Sequence, residues 1–159
     1  MMRRLAFSLL ALLVLVAAVA LIWLFASGDE AGNRASVSYI PDVEQGQTLY
    51  ATYCAACHGT NLEGQAGWRS PGPDGRLPAP PHDENGHTWH HGDQLLFDYT
   101  KLGGKAEMAK RGVEFDSGMP AFGDQLTDTE INNVLAYIKS TWPERLQIMQ
   151  AERSAAEAE

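Results

Sequence analysis

Residues 54–58 read Cys54-Ala55-Ala56-Cys57-His58, and no other five positions constrain the chain as tightly. Two thiols three positions apart on a helical turn can each form a thioether to a haem vinyl group, and the adjacent imidazole reaches the iron. Any fold for this chain must therefore make room for a haem. The chain has only these 2 cysteines, so a zinc site, which needs four ligands, lacks a third thiolate. A thioredoxin-like dithiol belongs between a strand and a helix of a βαβ unit, and no such pattern surrounds the run. Gly59, directly after His58, agrees with haem attachment. The chemistry predicted is electron transfer.

The N-terminus predicts the compartment. Met1, Met2, Arg3 and Arg4 precede an apolar run from Leu5 to Ala26 that is broken only by Ser8. At ~1.5 Å per helical residue such a run extends ~33 Å, enough to span a bilayer. A cleaved signal peptide shares the positive flank and the apolar core. Its core is usually only ~7–15 residues long, however, and Leu24-Phe25-Ala26 matches a cleavage site poorly. We therefore expect a membrane anchor (or uncleaved signal) over residues 1–27, with the arginines on the cytoplasmic side. This places the rest of the chain on the periplasmic side of a bacterial inner membrane, where c-type haem is attached.

Residues 28–38 are rich in Gly, Asp, Asn, Ser and Ala without apolar periodicity, which predicts a flexible linker. One haem domain is expected over residues 39–143 and a charged tail over residues 144–159, with no internal repeat and no second attachment motif. Of 12 Lys and Arg against 20 Asp and Glu, removal of Arg3 and Arg4 leaves 10 against 20, so the exported part is acidic. Nucleic acid and anionic headgroups demand basic patches and are poor partners for it. A positively charged docking surface would attract it, although net charge of this sign also serves solubility alone.

Helix signals flank the motif. Asp42 or Pro41 can start a helix in which Val43, Gly46, Tyr50 and Tyr53 share one face, leaving Gly46 as a point of close approach. Thr127 followed three residues later by Glu130 is a capping signature for a second helix through Ile131, Val134, Leu135, Tyr137 and Ile138. A helix is expected over Asp93 to Leu102, and Trp142-Pro143 marks a bend or an end. Beyond it, Leu146, Ile148 and Met149 can dock on the domain, whereas the stretch from Ala151 to Glu159 lacks apolar anchors and is expected to fray.

Several segments occur together in order: Gly46 and Tyr50 leading into Cys54-Ala55-Ala56-Cys57-His58-Gly59, then Gly118-Met119-Pro120-Ala121-Phe122, then Leu126-Thr127-Asp128-Thr129-Glu130-Ile131 and Val134-Leu135-Ala136-Tyr137-Ile138-Lys139-Ser140. Over Asp42 to Trp142 the chain resembles a class I cytochrome c, and with its N-terminus a membrane-anchored bacterial monohaem one. The resemblance implies an all-α fold in which the first and last helices cross, with Gly46 facing Tyr137 or its neighbours. It implies one haem c held by Cys54 and Cys57, and one-electron transfer between membrane-associated redox proteins. It also implies that a carbonyl of the Leu77-Pro78-Ala79-Pro80-Pro81 loop, that of Pro80 or Pro81, accepts the ring N–H of His58. In some relatives an aromatic donates to a haem propionate, a role that Trp89 can fill here; core packing is the competing role.

His58 supplies one axial ligand, and the second must be found. Met119 stands on a Gly-Met-Pro segment in which Gly118 permits close backbone approach and Pro120 stiffens the loop. Its thioether would favour ferrous iron and raise the potential. Met108, between charged residues, is the rival. Four more histidines, His82, His87, His90 and His91, crowd the stretch from Pro81 to His91. They read as a polar loop, as a copper or zinc site, or as the source of a second imidazole ligand. The leading expectation is an electron carrier without a small-molecule substrate, with redox proteins as donor and acceptor. A peroxidase-like haem enzyme, and a copper-handling or redox-sensing module using the histidine stretch, are the alternatives.

Overall fold

The computed structural model describes residues 39–157 together with Leu15, Val16, Ala18, Val19, Leu21 and Ile22. Those six are helical and exposed; most of the expected anchor, and all of the expected linker, lie outside the described residues. Among the described residues no helix is long and apolar enough to cross a membrane. The chain divides into a unit before Ile40 and one from Ile40 onward, and the second carries the architecture that follows.

Local sequence chemistry starts and stops each helix. In α1, Val43–Tyr53, the Asp42 carboxylate caps the N-terminus by accepting from the Gln45 N–H at 2.9 Å. Cys54 interrupts the helix, and α2, Ala55–His58, follows and ends at Gly59, whose φ of +84° suits glycine. A 3₁₀ turn, Thr88–His90, leads to α3, Asp93–Leu102, over the expected bounds. Gly103, at φ +81°, turns the chain into α4, Gly104–Lys110. For α5, Asp128–Ser140, the capping box forms as read: Glu130 N–H donates to the Thr127 hydroxyl at 3.3 Å and Thr127 N–H to the Glu130 carboxylate at 2.8 Å. Pro143 then admits a new helix, α6, Glu144–Glu157. No strand occurs among the described residues.

α1 and α5 cross at Gly46. A methyl group there would collide with the Asn133 carbonyl and lie 3.0 Å from Tyr137 Cβ, so the helix backbones meet without an intervening side chain. The Asn133 side chain stitches the crossing by accepting from Asp42 N–H at 2.8 Å and donating to Gln45 Oε1. Val43, expected on the same face, is 40 % exposed because it lies at the open end of the first turn. One apolar cluster gathers Tyr50, Ala55, Leu62, Val134, Ile138, Trp142 and Leu146. The other gathers Phe122, Leu126, Ile131 and Leu135. Leu49 packs on both.

The C-terminal segment does not fray after Ala151 as its composition suggested; it is helical through Glu157. Leu146 is fully buried, and Gln150 donates to Asp93 Oδ1 at 2.7 Å and to the His91 carbonyl at 3.2 Å. Farther along, Ser154 and Glu157 accept the N–H groups of Asp93 and Gln94 at 3.0 and 3.1 Å. These are first-turn donors of α3 that no intrahelical carbonyl can serve. Polar side chains of α6 thus cap α3, a long-range role that hydropathy does not register.

Two stability outcomes follow. Gly46→Ala gains at most ~1 kcal/mol of helix propensity but overpacks a backbone contact at about 1–3 kcal/mol, so guanidinium unfolding should show a net loss. Leu146→Ala should cost about 2–5 kcal/mol, as cavities do. Ile148→Ala, at a side chain 53 % exposed, should stay within about 0.5 kcal/mol of the parent protein.

Candidate haem site

The attachment turn is built on Cys54, whose carbonyl accepts from Cys57 N–H at 3.1 Å and from His58 N–H at 2.9 Å. Cys57 is exposed, and Cys54 is half-buried. Burial, with the neighbouring Cys57, pushes the Cys54 thiol up to about 11. His58 is buried, and its Nδ1 lies 2.8 Å from the Pro80 carbonyl. A carbonyl only accepts, so Nδ1 carries the proton and Nε2 keeps a lone pair. Burial lowers the His58 pKa and so favours the neutral ring that can act as a ligand, while the bond to Pro80 works in the opposite direction. Of the two carbonyls expected for this bond, Pro80 makes it. The Pro81 carbonyl instead accepts the Thr88 hydroxyl at 3.5 Å.

The Pro80 segment is held against the attachment turn. Gly64 N–H donates to the His58 carbonyl at 2.7 Å, Gln65 N–H to the Ala79 carbonyl at 2.9 Å, and Ala79 N–H to Gln65 Oε1 at 3.0 Å. Gly64 has φ +67°, and a Cβ there would strike Pro81 N.

Met119 lies on an irregular segment between α4 and α5 with its own supports. Its N–H donates to Ser117 Oγ at 3.2 Å, Tyr99 OH donates to the same oxygen at 3.0 Å, and its carbonyl accepts from Gly104 N–H at 3.1 Å. One residue farther back, Asp116 pairs with Arg76 at 2.9 Å and with Lys105 at 3.3 Å. The side chain packs on the Phe122 cluster, as Tyr53 and Phe97 also do. It also lines an open cleft of about 340 Å³ with Leu102, Ala106, Ala109 and Ala121. Met108 lies within α4, where its carbonyl accepts Val113 N–H at 2.9 Å.

These residues suit the group that the sequence implies. Two thiols and a neutral imidazole come from one turn, and the buried Trp89 Nε1 has no hydrogen-bond partner. An unpaired buried donor is costly, so an acceptor is called for beside it. The family pattern for cytochrome c matches residues 43–142.

The chain belongs to the cytochrome c family.

No curated protein and no solved structure matches it. As a member of the family, this cytochrome c binds covalent haem c through Cys54 and Cys57 and serves haem-based electron transfer. When bound, the haem supplies an iron that gains and loses one electron.

The histidines of this cytochrome c make separate ring contacts. His82 faces inward with its ring centroid 4.0 Å from that of His58. His87 stacks on Trp68 at 5.3 Å, while the Arg69 guanidinium lies 4.1 Å from the Trp68 ring centre. His90 stacks on Trp89 at 3.6 Å, and His91 meets the edge of His87 at 5.4 Å. Among the described residues no group of three or more His, Cys, Asp or Glu is placed to hold a metal ion. Sequence reasoning missed the contact of His82 with His58 and the Tyr99–Ser117 support of Met119. Their signals were present, however: a histidine two residues after Pro80 and a serine two before Met119.

Gly64 and Gly67 separate steric pressure on the Pro80 segment from backbone strain. Both have positive φ, but a Cβ on Gly67 meets nothing within 4 Å. Gly67→Ala should cost about 1–2 kcal/mol, from the left-handed conformation alone. Gly64→Ala should cost more in the same denaturation assay and reduce the yield of haem-loaded protein.

Proposed function

We propose that this cytochrome c is a carrier of single electrons in a respiratory or other membrane-associated redox chain, with His58 and Met119 as the axial ligands. The observation that carries this reading is the 2.8 Å approach of His58 Nδ1 to the Pro80 carbonyl, which fixes the ring and leaves Nε2 as donor. Met119 is the better supported partner because its loop is tied down at Ser117, Asp116 and Gly104. A thioether positioned there would occupy the iron position that peroxidase-like chemistry needs open. The chain's own residues then have limited tasks. His58 and Met119 donate lone pairs, the two apolar clusters exclude water, and Trp89 offers its indole N–H to a propionate oxygen.

The N-terminal apolar run supports tethering to a bacterial inner membrane with the haem domain on the periplasmic side. Donor and acceptor are then redox proteins of the same membrane face. Thioether ligation supports a higher potential than two imidazoles would give.

Absorption spectra of the ferric holoprotein test the ligands. The weak long-wavelength band of thioether-ligated ferric haem should be present, survive Met108→Ala, and vanish in Met119→Ala. A high-spin ferric spectrum, or one indifferent to Met119→Ala, would sink the assignment. Trp89→Phe, which keeps the packing and deletes the N–H, should lower stability by about 1–3 kcal/mol if a charged propionate takes that bond; an unchanged unfolding midpoint would count against it.

A further inference from the structure

We infer that His82 is a positioning residue for the proximal ligand: its imidazole sets the plane of the His58 ring and lowers the reduction potential of the haem. The inference rests on His58 as an axial ligand, as proposed above. His58 has one anchor, the Nδ1 bond to Pro80, and a single bond of this kind leaves a ring able to swing about it. A second ring stands in the way. The His82 centroid lies 4.0 Å from that of His58 with the planes inclined at 52°.

His82 is itself held from several directions. Its N–H donates to the Leu62 carbonyl at 2.8 Å, and its carbonyl accepts Trp142 Nε1–H at 2.7 Å. The edge of Tyr50 closes another side at a centroid distance of 6.0 Å. On the ring, Nδ1 lies 3.2 Å from Thr88 Oγ1, and the same hydroxyl lies 3.5 Å from the Pro81 carbonyl. An arrangement in which Thr88 O–H donates to the Pro81 carbonyl and His82 Nδ1–H donates to Thr88 satisfies both contacts. The positive end of the His82 dipole then lies at Thr88, and Nε2 keeps its lone pair.

This arrangement has a redox consequence. A hydrocarbon side chain in the same place would pack against His58 equally well, but it would not stabilise charge. The ferric centre carries one positive charge more than the ferrous one, and a polar imidazole packed on the proximal ring stabilises that charge better than a hydrocarbon would. Orientation and potential are therefore tied to one residue, and the Thr88 hydroxyl acts through it.

Spectroelectrochemical titration of the haem-loaded full chain tests the inference, with His82→Leu, His82→Asn and Thr88→Val beside the parent protein. His82→Leu should raise the midpoint so that reduction is favoured about tenfold, which for one electron is 59 mV. The shifted haem methyl signals in ferric proton NMR should move with it, reporting the changed His58 plane. His82→Asn, whose amide can still donate to Thr88, should recover most of the difference. Thr88→Val leaves both histidines in place and should raise the midpoint by a smaller step, so it carries the test if the leucine variant fails to mature. A midpoint within twofold of the parent in Thr88→Val, or leucine and asparagine variants that behave alike, would overturn the inference. A parent protein without imidazole-ligated low-spin haem would instead overturn the ligation itself, and this inference with it; the parent spectrum alone tells the two failures apart.

Discussion

The contact between the α1 and α5 backbones at Gly46 is the constraint on which the rest of this cytochrome c depends. With no side chain between them, the helices approach until Asn133 can bond to both Asp42 and Gln45 at the start of α1. That approach fixes the direction in which α1 runs into Cys54, and hence where the attachment turn stands. It also divides the core. One cluster takes Ala55 of the attachment turn and Leu62 just after it, and the other takes Met119 as a neighbour, with Leu49 packed on both.

The two candidate ligands are supported differently, and the contrast follows from their local structure. His58 sits on a helical turn, so its backbone is already fixed by the bonds to Cys54, and only the ring needs an external partner. Met119 has no helix behind it. Its loop is fixed by one side-chain oxygen, Ser117 Oγ, which Tyr99 orients, and by the Asp116 ion pairs farther back. Those ion pairs are solvent-exposed and screened, so each contributes little and the bonds at Ser117 and Gly104 matter most.

Legibility in the sequence followed the range of the interaction concerned. The Thr127 capping box, the Asp42 cap and the break at Pro143 are readable because each depends on residues a few positions apart. α4 was not foreseen: it is a single seven-residue helix opened by two glycines, too short for an apolar period to show. The stretch from Ala151 onward lacks apolar anchors and is expected to fray, yet Gln150, Ser154 and Glu157 hold the end of α6 through polar contacts with residues about sixty positions away. The histidine stretch looked like one feature and proved to be several, because successive residues of a turn point in different directions.

The sequence by itself determined the haem chemistry, since thiol, thiol and imidazole at fixed spacing need only one helical turn to come together. It also determined the starts of α1, α3 and α5 and the small residue at the crossing. Only the tertiary structure decided which carbonyl meets His58, because Pro80 and Pro81 are chemically equivalent until Gly64 and Thr88 orient the segment. The same holds for His82, which composition groups with His87, His90 and His91. The placing of its ring beside His58 is set by Leu62, Thr88 and Trp142, residues that only packing brings together.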